Sequence, residues 1–546
     1  MSKANAPSET QPRPDSVNLN TSSSETKAQP KRLINLLRGW PSPSLLPASL
    51  LRAAANRVLS DPAIAVPALQ YAPDPGYQPL RESLAEWLGE CYGGGFTTTH
   101  SKGGVGKEGE ERGDGGVDVG KGKAEKKKRV EVKVKVKAEE IAITGGASQG
   151  LACVLQSFAD PGYTRAVWAV APCYFLACPV FEDAGFAGRL RAVPEVESGD
   201  GVDLEVLERG IREVDEEAER QEREEREKGV EGRRKFKEPG LHRKVYRHVV
   251  YLVATSANPS GKTMSIERRE RLVRLARKYD ALVISDDVYD FLQWPVTSSS
   301  SSSPLPTGPI LPTLSQIDLF LPHDNPTTTN TKSFGNAISN ASFSKLAGPG
   351  MRTGWIHASP DFIHGFAQTG SNRSGGAASQ IAAAMAHQSV VSGELEGWLR
   401  DTVRPGLRRR HALILRAVRE ELEGLGVRIE GDEGNGDEDG EKVFGGYFIW
   451  LRLPEGIDAE EVAVRAREEE ELIVAPGRLF EVKGDEESAR FPGRMRLCFS
   501  WEAEGDVVEG VRRLGRVLRR MLEGAGERGV RREKESEFEQ ELQMAC

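Results

Sequence analysis

Cysteine is scarce in this chain: Cys91, Cys153, Cys173, Cys178, Cys498 and Cys546 are the full set in 546 residues, and no two form a CxxC pair. That pattern excludes a disulfide framework and a thiolate zinc centre, and it fits free thiols in a reducing compartment. Long apolar runs are missing as well, since no stretch approaches the roughly 18 uninterrupted apolar residues needed to cross a bilayer. Residues 1–30 have no apolar core and carry Glu9, Asp15 and Glu25, which argues against a signal or transit peptide and for a disordered tail. Cys546 lacks the three following residues of a prenylation box. Nor is positive charge in excess: 74 Lys and Arg stand against 82 Asp and Glu, a net charge of -8. The footprint of a nucleic-acid binder is therefore absent. These absences predict a cytoplasmic small-molecule enzyme with no metal, nucleic-acid or membrane partner.

What is present divides the chain by composition. Residues from about 93 to 129 are rich in Gly, Lys and Glu with few large apolar side chains; they cannot offset the entropy of ordering and read as a loop insertion. Residues from about 213 to 243 alternate Glu and Arg, a solvated helix supported by i, i+4 pairs. The Ser/Thr/Pro-rich stretch 297–331 and the acidic stretch 430–441 read as surface insertions. Between them strands alternate with helices. IAIT (141–144), VWAV (167–170), VVYLV (249–253) and ALVIS (281–285) are apolar strand patterns, and SIERRERLVRLARKY is a helical one. The expected fold class is α/β, a mostly parallel sheet sandwiched by helices, followed by a smaller α+β domain with strands at 447–451 and 495–499. The expected organisation is a tail (1–30), a segment packing on the small domain (31–70), a large domain (71–359), the small domain (360–522) and a charged tail (523–546).

The chemistry concentrates at the strand ends, where ligands of such sheets bind. Ser342-Phe343-Ser344-Lys345 is followed seven residues after the lysine by Arg352. A lysine amine can form a Schiff base with pyridoxal phosphate, while two hydroxyls and a guanidinium suit its phosphate dianion. A protonated ring nitrogen calls for a carboxylate, and Asp286 ends the strand ALVIS. Tyr289 and Asn258 are candidates for hydrogen bonds to the ring 3'-oxygen. Taken singly, Asp-Asp-x-Tyr and Asn258-Pro259-Ser260-Gly261 have the composition of ordinary turns.

Taken in order, Asn-Pro-Ser-Gly, Asp-x-x-Tyr 28 residues on, Ser-x-Ser-Lys and the arginine resemble the signature series of class I/II aminotransferases, fold type I pyridoxal-phosphate enzymes. Within them the chain is most similar to the α-aminoadipate/kynurenine and multi-substrate branch. The resemblance covers about residues 34–522 apart from the insertions. It implies a phosphate cradle at Gly146-Ala147-Ser148, with Ala147 where relatives often carry Ser, a ring-stacking Tyr174, and a Tyr71 that reaches the phosphate of a neighbouring subunit in a homodimer. It also implies a substrate carboxylate pocket built from Arg496, Asn258 and Gly39. Arg494 is the chemical rival of Arg496.

The function this implies is transamination: Lys345 carries the cofactor, then moves a proton, and an L-amino acid gives its amino group to a 2-oxo acid such as 2-oxoglutarate. A 2-aminoadipate or aromatic donor is the expectation from the branch. The alternatives are β-elimination or decarboxylation on the same scaffold, or an inactive regulatory relative.

Overall fold

The structure, a computed structural model, describes residues 31–92, 96–100, 128–132, 135–196, 201–229, 235–238, 240–295, 311–322, 334–376, 378–431 and 443–524. The expected tail at 1–30, most of the acidic stretch at 430–441 and nearly all of the charged tail at 523–546 lie outside the described residues.

The apolar runs become the strands of a seven-stranded sheet: β1 (Ile141–Thr144), β2 (Ala166–Ala171), β3 (Leu190–Pro194), β4 (His248–Leu252), β5 (Ala281–Asp286), β6 (Ala337–Ser342) and β7 (Gly354–His357). Their order is β1-β7-β6-β5-β4-β2-β3. Only β7 runs antiparallel to its neighbours; β6, β5, β4, β2 and β3 pair in parallel. Every residue of β2, β4, β5 and β6 is buried, as a parallel sheet covered by helices on both faces requires. The helices Ala147–Phe158, Leu204–Glu227, Ile266–Lys278 and Leu314–Phe320 lie between these strands in the chain. The starts of the last three are set by side chains that accept first-turn N–H groups: Asp203, Ser265 and Thr313. The result for the site is geometric. The last residues of β1, β5 and β6 lie at one edge of the sheet, with Asp286 in register with Asn340.

A second sheet of β8 (Arg428–Glu430), β9 (Phe448–Arg452), β10 (Ala475–Pro476) and β11 (Arg494–Cys498) is antiparallel, in the order β8-β9-β11-β10. Residues 34–40 are stitched to it. Ile34–Asn35 pairs in parallel with Leu472–Ile473, and the Cys498 N–H donates to the Leu36 carbonyl at 2.7 Å. Asn35 Oδ1 accepts from the N–H groups of Leu37 and Arg38, and the Ser500 hydroxyl donates to the Trp40 carbonyl at 2.7 Å. These bonds bend Leu37-Arg38-Gly39-Trp40 over the edge of the large sheet.

Two expectations need correction. The loop insertion at 93–129 is flanked by an antiparallel ribbon, Phe96–His100 with Lys128–Val132; the threonines and valines there favour strand over coil. Within the surface insertion at 297–331, Leu314–Phe320 is a helix with Leu314 and Ile317 buried. Thr313 and Gln316 form a capping box there, so seven ordered residues sit inside a stretch whose average composition is that of a linker. The Glu/Arg run expected as a helix from about 213 to 243 is helical as far as Glu227, where the helix Leu204–Glu227 ends.

Candidate active site

A cavity of about 220 Å³ opens where the strand ends meet the bent N-terminal segment. Lys345 closes the 3-10 turn Phe343–Lys345 after β6. Its Nζ donates to the Gly39 carbonyl at 2.8 Å and lies 5.1 Å from the centre of the Tyr447 ring. Burial lowers this amine to about 8, an effect that the nearby Cys498 and Asp286 reduce without cancelling. Taking an ammonium out of water is costly, so the site shifts the balance toward the neutral, nucleophilic form.

Asp286, at the end of β5, is buried. The Tyr251 hydroxyl donates to its Oδ2 at 2.9 Å, while Oδ1 has no hydrogen-bond partner among the described residues. Burial pushes this carboxyl up to about 6, against the hydrogen bond from Tyr251 and the charge of Lys345.

At the opposite end, Ala147 and Ser148 open a twelve-residue helix behind Gly146, whose φ is 105°. A Cβ there would stand 2.8 Å from Arg352 Nη2, so only glycine lets the guanidinium approach this helix start. Arg352 Nη2 donates to the Gly145 carbonyl at 2.7 Å. The Ser342 hydroxyl donates to Ser344 Oγ at 2.9 Å. Backbone N–H groups of a helix start, two hydroxyls and an arginine thus face one space.

Arg496 projects from β11 into the cavity. Its Nη1 donates to Asn258 Oδ1 at 2.8 Å, its Nη2 to the Leu37 carbonyl, and its guanidinium lies 4.1 Å over the Phe448 ring. Its rival Arg494 shares that strand face two residues away but is spent on Glu430 at 2.9 Å. Tyr289, Asn258, Tyr174 and Gly39 complete the wall. Gly39 is required by proximity, since a Cβ would stand 2.7 Å from the Phe448 ring.

The site residues named from the sequence line this cavity except Gly146, which immediately precedes the helix Ala147–Phe158, and Tyr71, which is 85% exposed. Sequence reasoning missed Leu37, Trp40, Phe175, Leu176 and Phe448 in the lining, and Tyr251 behind it. None sits in a chemical motif. The signal available for Tyr251 was its place on a strand beside ALVIS, which has meaning only once the register is known.

The residues fit pyridoxal phosphate. A buried acceptor without a partner suits a protonated ring nitrogen, a depressed amine suits an aldehyde, and the helix start with its hydroxyls and arginine suits a phosphate. When bound, that group supplies an electron sink for the charge left when an amino acid loses its Cα proton. The residues that would hold that group are Asp286 at one end of the ring and the helix start with Ser342, Ser344 and Arg352 at the other; Lys345 would stand where an amine could carry the proton, and Arg496 where a carboxylate could dock.

Known proteins agree with this geometry. Residues 121–514 match the family Aminotransferase class I and II. The chain is similar to the uncharacterized protein YER152C of Saccharomyces cerevisiae, 32% identical over 70% of this chain and 79% of that one. It is also similar to aromatic-amino-acid aminotransferase 1 of Thermococcus litoralis, 26% identical over 89% of this chain and 88% of the relative. Among solved structures, the kynurenine aminotransferase of Pyrococcus horikoshii superposes with a TM-score of 0.60 at 25% identity, over 90% of this chain and 91% of that one. With the family match spanning well over half the chain and the cavity fitting the cofactor, the chain belongs to the class I and II aminotransferases and is a pyridoxal-phosphate-dependent transaminase of fold type I.

Proposed function

We propose that the amino donor is an aromatic or other bulky apolar L-amino acid and the acceptor a 2-oxo acid such as 2-oxoglutarate. The observation that carries this reading is the apolar part of the cavity lining, formed by Leu37, Trp40, Pro41, Phe175, Leu176 and Phe448. An aromatic side chain gains by burial against such a wall. The cations that line the cavity are Lys345, Arg352 and Arg496, and each has a task at the amine, the phosphate or the α-carboxylate. A second carboxylate, as on 2-aminoadipate, would find none of these three cations to spare and would have to reach past the apolar wall. For a dicarboxylic acceptor, Arg38 stacks 4.6 Å over the Trp40 ring beside the mouth. The names of the Thermococcus litoralis and Pyrococcus horikoshii relatives agree with an aromatic donor.

In this reading Lys345 carries the cofactor and shuttles the proton, Asp286 pairs with the ring nitrogen, and Tyr289 and Asn258 serve the 3'-oxygen. Tyr174 stacks on the ring. Ala147, Ser148, Ser342, Ser344 and Arg352 hold the phosphate, and Arg496 with Asn258 and Gly39 takes the substrate carboxylate. Tyr71, exposed in one copy, reaches the phosphate of a second copy in a homodimer. The test is kcat/KM for a panel of amino acids with 2-oxoglutarate. Phenylalanine, tyrosine and tryptophan should exceed aspartate and 2-aminoadipate by about tenfold or more, the worth of one well-buried apolar group. Preference for 2-aminoadipate would overturn the aromatic assignment.

A further inference from the structure

Tyr251 stands on β4 in register with Ile284 of β5. Because side chains alternate along a strand, Tyr251 shares its sheet face with Ile284 and with Asp286, two residues further on. From there its hydroxyl reaches Asp286 Oδ2 at 2.9 Å, with Tyr251 itself 1% exposed. A phenylalanine would pack as well in this strand; a buried hydroxyl is costly unless it finds a partner. Its partner is the acidic residue that lines the cavity.

A carboxylate has two equivalent oxygens and turns readily about its Cβ–Cγ bond. A fixed donor on one oxygen removes that freedom and leaves the other as the free acceptor. Asp286 is in that state, with Oδ2 bonded and Oδ1 without a partner among the described residues. The phenol is in turn held by packing, since the Phe181 ring meets it edge-on at 5.5 Å.

We propose that Tyr251 is a positioning residue of the cofactor site, whose hydroxyl locks Asp286 so that Oδ1 is the oxygen presented to a protonated pyridine-type ring nitrogen. The proposal rests on the assignment of Asp286 to that nitrogen. The same hydrogen bond favours the ionised carboxylate, which burial opposes. The other groups acting on Asp286 are Lys345 from the turn after β6 and the Cys173 thiol from the loop after β2, while Tyr174, Tyr289 and Arg496 share its cavity.

The experiment titrates full-length apoenzyme with pyridoxal phosphate, following intrinsic fluorescence from pH 5.5 to 8.5, for the wild type, Tyr251→Phe, Asp286→Asn and the double variant. Tyr251→Phe should weaken binding about tenfold at pH 7, the worth of a hydrogen bond to a charged group, and move the pH midpoint of binding upward. Phe181→Leu, which disturbs packing but keeps the hydroxyl, should lower the unfolding midpoint and leave the pH midpoint in place. In the Asp286→Asn background, Tyr251→Phe should have little further effect. Wild-type affinity and pH midpoint in Tyr251→Phe, or an equal loss in both backgrounds, would overturn the positioning role. If Asp286→Asn itself binds the cofactor as the wild type does, the assignment of Asp286 is what fails.

Discussion

An amine that is to attack an aldehyde must first give up its proton, and at Lys345, the amine proposed for that step, burial brings the titration down to about 8, closer to neutral pH. The cost falls on stability. In the unfolded chain the amine sits near 10.5, and in the folded apoenzyme near 8. The folded state therefore binds its proton less readily, so the penalty is fully present below pH 8 and fades as pH rises toward 10.5. Lys345→Met should raise the unfolding midpoint of the apoenzyme at pH 7 by the equivalent of about 1–3 kcal/mol, with the gain shrinking toward pH 10. The same variant should lose turnover, and thermal denaturation across pH beside a transamination assay checks both. At this scale the site was largely legible. Lys345, Asp286, Asn258 and Arg352 announce themselves because each sits in a short motif whose residue types have few other joint uses. Tyr251, Phe448 and Leu37 do not, because their roles come from which strand lies beside which, and a hydroxyl in the run HVVYL is chemically silent until β4 pairs with β5.

The start of the helix Ala147–Phe158 joins backbone strain to ligand chemistry. Gly146 precedes it at a φ that side chains resist, and the space a Cβ would need is taken by Arg352 Nη2. Gly146→Ala should cost about 1–3 kcal/mol of stability through the backbone and also push Arg352 off the Gly145 carbonyl, weakening pyridoxal phosphate binding by about tenfold, the scale of one charge-assisted hydrogen bond. Gly188 supplies the control: its φ is 75° with open space around its Cβ position. Gly188→Ala should lower stability and leave cofactor affinity alone, which titration of both apoenzymes distinguishes. Element types were read well where apolar residues fall in unbroken runs, because β2, β4 and β5 are buried on both faces. They were misread where order is short and its surroundings are polar. The helix Leu314–Phe320 needs only a capping box and two buried aliphatic residues to form, too little to alter the composition of a 35-residue window.

Across the whole molecule, one buried imidazole ties separate parts of the chain together. His411, in the helix Arg404–Glu421, stacks on Phe444 at 3.9 Å and 11° and lies 5.3 Å from Phe499, just beyond β11. Its Nδ1 accepts the indole N–H of Trp294 at 3.4 Å, and Trp294 belongs to the strand Gln293–Pro295, which pairs with Val443–Gly445. Protonation at Nδ1 would set one N–H against another inside an aromatic cluster. Burial, helped by the charge of Arg419, accordingly holds this imidazole down to about 3. The sign follows from linkage. In the unfolded chain histidine titrates near 6.5, so between pH 6.5 and 3 the unfolded state binds the extra proton and the folded state does not. The contribution to stability is complete above pH 6.5 and is lost progressively as pH falls toward 3, by about 2 kcal/mol at pH 5. His411→Phe keeps the stacking volume and gives up the Trp294 hydrogen bond, a cost that does not depend on pH. The unfolding free energy of the variant, measured by denaturant titration at pH 7.5 and 5, should therefore fall less than that of the wild type, by about 2 kcal/mol. Equal falls in the two proteins would mean that the imidazole accepts its proton in the folded state and that the cluster opens to admit it.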